Sequence, residues 1–344
     1  MTIIGIDPHK ASITAVAVDQ NGKNLGTRRF TMNKGTGPGL VKWSSAFLEP
    51  TFAVEGAKGL GHSISQFLVS HGQVVVDVPA TLSMRVRVLE TGGSRKSDRE
   101  DEQAVARAAL YRDDLRRVER EDQLVILDLL CRERDALRGE RNRSLNRLHR
   151  LFRELIPGGV PRGLDVAAAR LSLRSIHAAT GADQCRRDLT KSLIGSLDRV
   201  EKQMTSYDAK NEEAVSICGS TLTELQGIGS LLAGKILAEA GDVTRFISAD
   251  RFASYAGTAP VETSSGENRK QRLNPGGNRR LNSDLHIMAV VQIEHPGPGR
   301  TYYLKKIAEG KTLREAKRSL KRRLSNIVYR VLTADARRLK NTSS

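Results

Sequence analysis

The sequence predicts an α/β domain followed by an all-α remainder that begins with a long helical arm. Three observations predict it. Short β-rich runs alternate with helical patterns through the first third of the chain. From Glu121 to Leu155 the pattern is helical without a break, and leucines recur at near-heptad spacings. Beyond Pro157-Gly158-Gly159 the apolar periodicity stays helical, punctuated by glycine- and proline-bearing turns. A chain of 344 residues has the length for two or three domains with real cores.

Taken in order, Thr2 to Asp7 and Ser12 to Asp19 read as strands joined by a tight turn containing Pro8, and Asn21-Gly22 marks a hairpin into a third strand near Leu25 to Met32. A helix around Gly39 to Phe47, a strand at Thr51 to Glu55, a helix from Gly59 to Val69, a buried strand at Val74 to Val78 and a helix starting at Ser97 complete a βββαβαβα order. That is the order of the ribonuclease H-like fold, and actin-like ATPases open in a similar way. The phosphate loop of those ATPases needs small residues with free amides directly after the acid, whereas Pro8-His9-Lys10 follow Asp7 here and proline has no N–H to offer. The arm runs on to Leu155, and further helices are expected around Val166 to Ala179 and Asp183 to Lys210. The last stretch holds a Gly227-Ile228-Gly229 turn, a Ser/Gly/Arg-rich loop from Thr263 to Arg280 and a basic tract from Lys305 to Lys340. The expected domains are 1–115, 116–210 and 211–344.

Charge narrows the partner. Lys and Arg number 56 against 39 Asp and Glu, a net charge of +17, which points to a polyanion. No apolar run approaches the roughly 20 residues that span a bilayer. Asp7 and Pro8 stand where a signal peptide would need its apolar core, so a cytoplasmic, nucleoid-associated protein is expected. Cys131, Cys185 and Cys218 are widely spaced and form no CxxC, which fits a reducing compartment better than a disulfide framework or a zinc site. The arm arginines, Arg141 and Arg147 among them, are either a solvated face or phosphate contacts. Beyond Leu137 only Glu140 and Glu154 oppose them within the arm, which favours phosphate.

Four carboxylates stand out. Asp7 and Glu55 each end an apolar strand. Asp98 and Asp101 lie three apart at the start of a helix whose same face continues through Val105 and Ala108, so they aim at the sheet rather than at water. The competing role for this segment is helix capping, with Ser97 and Glu100 as a capping box. Four converging acids would repel strongly without a cation between them. Hard oxygen donors with no His or Cys cluster suit Mg²⁺ or Mn²⁺, and an ion pair roughly 4 Å apart would stabilise both attacking and leaving oxygens at a phosphodiester. Asp77, between valines, is an alternative member or an isolated strand acid.

In the C-terminal third, Ser264-Ser265-Gly266 is followed by Arg269, Lys270, Arg272, Arg279 and Arg280. No Gly-x-Ser-x-Gly elbow is present; instead, dense cations beside a serine suit attack on a phosphate. Gly227 and Gly229 fit either a plain turn or a helix-hairpin-helix turn whose amides hold a backbone phosphate.

The motifs IGIDPHKASITAVAVD, TFAVEG, KSDREDEQAVA, LQGIGSLLAGKILAEAGDVTRF, YAGTAPVETSSG and NPGGNRRLN, in that order, resemble those of the transposases of insertion-sequence family one-hundred-and-ten. The resemblance implies a RuvC-like domain with a metal-binding tetrad of Asp7, Glu55, Asp98 and Asp101, a coiled-coil arm, and a mainly helical transposase domain whose nucleophile is Ser265, with Ser264 the fallback. It further implies recombination between double-stranded element ends and target DNA, guidance by a structured noncoding bridge RNA, and assembly into a dimer or tetramer. Glu102 stands where the family usually has alanine. Two other classes stay open at this point, a junction-resolving endonuclease using the carboxylates alone and a nonenzymatic nucleic-acid-binding protein.

Overall fold

The computed structural model describes residues 1–91, 98–112, 114–265, 268–272 and 276–342, with only the backbone described at 87, 89–91, 98–102, 261–265, 268–272 and 342. Two compact units result, Met1–Glu121 and Asp122–Ser344.

The first unit is built on a mixed sheet. Strands β1 (Thr2–Pro8), β2 (Ser12–Val18) and β3 (Asn24–Thr31) form an antiparallel meander, and β4 (Pro50–Glu55) and β5 (Val74–Val78) add parallel to β1. With a two-residue edge strand β6 (Arg116–Arg117), the order is β3-β2-β1-β4-β5-β6. Its first five strands have the ribonuclease H-like arrangement, so the α/β expectation is met. The two-residue side-chain period divides the core. Ile4, Ile6, Phe52 and Val54 face helices α1 (Thr36–Ser44) and α2 (His62–Ser70). Ile3, Val16, Ala53 and Val78 face Val105, Ala106 and Ala108 of the helix over Asp98–Leu110.

That helix is preceded by one the sequence did not reveal. Helix α3 (Ala80–Thr91) divides its apolar residues, Leu82 and Val86 packing on the sheet while Met84 and Val88 are exposed, so no clean period marks it. The Asp98–Leu110 helix is therefore α4; the expected start at Ser97 lies outside the described residues.

The second unit centres on an antiparallel pair, α5 (Gln123–Leu155) and α7 (Gly181–Ile217), each capped by its own side chains: Asp122 accepts from the amides of Leu124 and Val125, and Thr180 forms a capping box with Asp183. Their register is fixed by four contacts along the pair: Cys131 Sγ with Asn211 Oδ1, Arg134 with Asp208, Arg141 with Glu201, and Glu154 with Arg186. At the far end, Leu148, Phe152, Ile194 and Leu197 form a core with α6 (Val166–Arg174). At the base, the pair joins α8 (Ser230–Ala240), where a Cβ on Gly234 would lie 3.3 Å from both Cys131 Sγ and Leu127 Cδ2. Helix α7 passes through the boundary expected at 210.

Helices α9 (Ala249–Tyr255), α10 (Arg279–Glu294), α11 (Pro298–Ala308) and α12 (Leu313–Thr342) complete the base. The basic tract is structural as well as charged, because Ala316, Leu320, Leu324 and Val328 recur every turn of α12 and enter the core. One expectation is corrected. The segment expected as a loop from Thr263 to Arg280 contains an antiparallel hairpin, β7 (Val261–Ser265) with β8 (Asn268–Arg272), and then the start of α10. Its polar composition concealed the strand period.

Candidate active site

Backbone topology brings Asp7 and Glu55 together. Ile6 pairs with Val54 across the parallel β1–β4 ladder, so the next residues, Asp7 and Glu55, leave neighbouring strands that are about 4.8 Å apart. Both share the face of Ile3 and Ala53, which is the face α4 covers. Asp7 keeps 16% of its side chain exposed, and Oδ2 lies 3.3 Å from Nε2 of His9. His9 is a neighbour that the sequence did not single out, although it stands two residues away.

The direction of α4 follows from its far end. Arg107 donates to the carbonyl of Gly22, in the β2–β3 turn beyond Val18, the residue paired with Ile3 at the start of β1. The helix therefore runs opposite to β1, and its first turn, with Asp98 and Asp101, lies toward the strand ends bearing Asp7 and Glu55. The side chains of Asp98 and Asp101 are outside the described set. Among the described residues no group of three or more His, Cys, Asp or Glu forms a cluster able to hold a metal ion.

Asp77 does something else. It shares a face with Val75, opposite to Val76 and Val78, and its Oδ1 accepts from the Ala57 amide at 2.9 Å. It thus shapes the turn after Glu55 from the other side of the sheet.

In the second unit, Ser265 pairs with Asn268 and Ser264 with Arg269, at the closed end of the β7–β8 hairpin as described. The side chains of both serines and of Arg269, Lys270 and Arg272 lie outside the described residues. Asn278 caps α10 by accepting from the amides of Arg280 and Leu281, leaving Arg279 and Arg280 exposed in the first turn. Arg280 is not a free cation, because it sits 3.3 Å from Glu239. Arg141 is likewise held at 2.8 Å by Glu201, whereas Arg147 is exposed with no ion pair among the described residues.

The turn at 227–229 has two distinct glycines. Gly227 adopts φ +85°, and a Cβ there would press on the Met288 carbonyl and Val291, so packing on α10 requires glycine. Gly229 caps α8 and has open space around it; with Ser230, Arg134, Arg138 and Lys235 it lines a cavity of about 820 Å³.

Known families account for the order of these parts. Residues 4–157 match a profile described as Transposase, of the DEDD IS110 type, and residues 219–304 match one described as Transposase IS116/IS110/IS902 family. The chain belongs to the IS110 family of transposases. A protein of insertion element IS116 from Streptomyces clavuligerus is 27% identical over 96% of this chain and 94% of its own length. The transposase for insertion sequence element IS1111A of Coxiella burnetii is 23% identical over 96% of this chain and 89% of its own. Among solved structures, Thermus thermophilus RuvC aligns over 34% of this chain and 100% of its own, at 16% identity and a TM-score of 0.28. The N-terminal unit of this IS110-family chain is an α/β unit with the ribonuclease H-like strand order, its C-terminal unit is mainly helical, and its activity is DNA cleavage and strand transfer. Among the described residues no helix is long and apolar enough to cross a membrane.

Proposed function

We propose that this transposase cuts and rejoins double-stranded DNA through a covalent intermediate on Ser265, assisted by a carboxylate tetrad of Asp7, Glu55, Asp98 and Asp101. The observation that carries the reading is the convergence of backbone positions in the first unit, with two strand-end acids on the face of α4 and the helix directed so that its acidic first turn approaches them. These residues fit a hard divalent ion. They offer carboxylate oxygens at strand and helix ends, in a unit that contains no cysteine. Bound there, Mg²⁺ or Mn²⁺ would supply positive charge to oxygens developing negative charge at a phosphodiester.

The chain's own residues do the rest. The Ser265 Oγ forms a bond to phosphorus as the strand's P–O bond breaks, the serine proton leaves, and the departing strand end takes a proton. Attack by a hydroxyl of the exchanged strand reverses those changes and frees the serine. The phosphodiester energy is retained throughout, so no nucleotide is needed, in keeping with a sequence that has no P-loop. The cations of β8 and the start of α10 bear the developing phosphate charge. The tetrad and the serine are each needed for strand exchange, and the arm is a coiled-coil element of assembly into a dimer or tetramer. A structured bridge RNA pairs with element ends and target, a role supported by the motif order that the chain shares with its family.

The test is denaturing electrophoresis of the full chain with labelled substrate DNA. Wild type and Ser264→Ala should give a protein–DNA adduct and Ser265→Ala none. An adduct from Ser265→Ala would overturn the serine assignment.

A further inference from the structure

We infer that the seam between α10 and α12, at the root of the β7–β8 hairpin, binds a backbone phosphate of nucleic acid through Lys317, Lys321 and His286. Leu281, Leu285 and Met288 of α10 and Ala316, Leu320 and Leu324 of α12 share one core. Along the edge of that contact run two polar rows. Asn282 and His286 stand one turn apart on α10, and Lys317 and Lys321 one turn apart on α12. Lys321 Nζ donates to Asn282 Oδ1 at 2.6 Å, which fixes one row against the other.

Among the described residues the seam has positive charge and no acid paired with it. Both lysines are half-buried, and among the described residues neither has a carboxylate partner. Lysines withdrawn from water are normally paired, and like charges four apart on a helix destabilise it. Burial holds the Lys321 ammonium below its ordinary value, and burial followed by the charges of Lys321 and Lys317 does the same to the His286 imidazole. Nearby acids are committed elsewhere. On α8, Glu239 acts on Asp284, two residues and more than half a turn away around α10. On α12, Glu315 is held by Thr312, and on the α11 side Glu309 is held by Lys306. A phosphodiester, with one negative charge and two oxygens, fits what is missing, and nucleic acid is the anion a transposase handles.

Its position gives the site a purpose. The Asn282 amide donates at 2.9 Å to the carbonyls of both Ala256 and Gly257, where the chain leaves α9 for the hairpin. On the returning leg a Cβ at Gly277 would sit 2.4 Å from the Gly257 Cα, so the two legs cross glycine on glycine. A phosphate held by Lys321 is thereby tied through one side chain to the backbone that carries Ser264 and Ser265. The inference draws on the family's handling of DNA for the source of the phosphate, and stands or falls independently of the serine and metal assignments.

The test is a histidine NMR titration of the full chain, with His286 assigned by His286→Gln, alone and saturated with either a short DNA duplex or an RNA hairpin. The His286 midpoint should rise on binding, and by more than that of His177 on the distal arm. A rise with DNA, with RNA or with both supports the site and names the source. An unchanged midpoint, or an equal rise at both histidines, overturns it. As a second reading, Lys317→Gln leaves the Asn282 bond in place and should flatten the plot of log affinity against log salt by up to about 0.9, the share of one duplex phosphate. An unchanged slope would also overturn the inference.

Discussion

Replacing Asp284 by asparagine should stabilise the helical unit at neutral pH and do almost nothing in acid. Asp284 lies on α10 at 5% exposure. Burial raises its carboxyl from 3.8 to about 6; Lys235 and Arg280 pull it back, while Glu239 and Asp135 push it further up. Below about pH 3.8 the carboxyl is protonated in folded and unfolded chains alike, so burial carries no ionic penalty. Between 3.8 and about 6 the unfolded chain ionises first, and the folded state loses stability as pH rises. Above that window the loss is constant, about 3 kcal/mol at 1.36 kcal/mol for each tenfold change in proton affinity. Asparagine keeps the shape and removes the ionisation, and Lys235 retains Asp135 at 2.6 Å. For a unit of this size, about 3 kcal/mol corresponds to a rise of roughly 6–12 °C in Tm. Calorimetry of wild type and Asp284→Asn at pH 7.5 and pH 4 measures it. A gain of equal size at both pH values, or a loss at pH 7.5, would refute the electrostatic reasoning.

Asp7→Asn, Glu55→Gln, Asp98→Asn and Asp101→Asn should each abolish strand exchange while leaving duplex affinity nearly intact, and exhaustive chelation should do the same to the wild type; full activity of Asp98→Asn in a strand-exchange assay would remove it from the tetrad. Gly37→Ala puts a Cβ 2.4 Å from the Phe67 ring between α1 and α2, and should cost about 1–3 kcal/mol in denaturant unfolding of the first unit.

Much of the first unit was legible because its signals are local. Asn21-Gly22, the β-rich runs of β1 and β2 and the short run Val74–Val78 each declare a strand without outside help. Asp7 and Glu55 were legible as acids at the ends of apolar strands, and pairing of those strands did the rest. Helix α3 was not, because its apolar residues serve two environments. The hairpin was not, because neither of its faces is apolar. Arginine commitments were illegible in principle: Arg141 finds Glu201 across 60 residues and Arg280 finds Glu239 across 41, so a face that reads as free charge is partly neutralised. The Asn282–Lys321 bond spans 39 residues and carries no spacing signature at all.

The antiparallel pair also has a mechanical consequence. Beyond Cys131, α5 continues to Leu155, a projection of about 36 Å at 1.5 Å per residue. Its orientation is set at the other end, where Gly234 of α8 lets the pair settle against Cys131 and Leu127. The geometry is that of a lever with its fulcrum at a single missing methyl. A wedge that opens this contact by about 1 Å over roughly 10 Å, the diameter of a helix, swings the distal end by about 4 Å. Exchanging residues at that distal end leaves the fulcrum where it is, so aim is controlled from the base, and Gly234 is the position at which to re-aim the arginines of the arm.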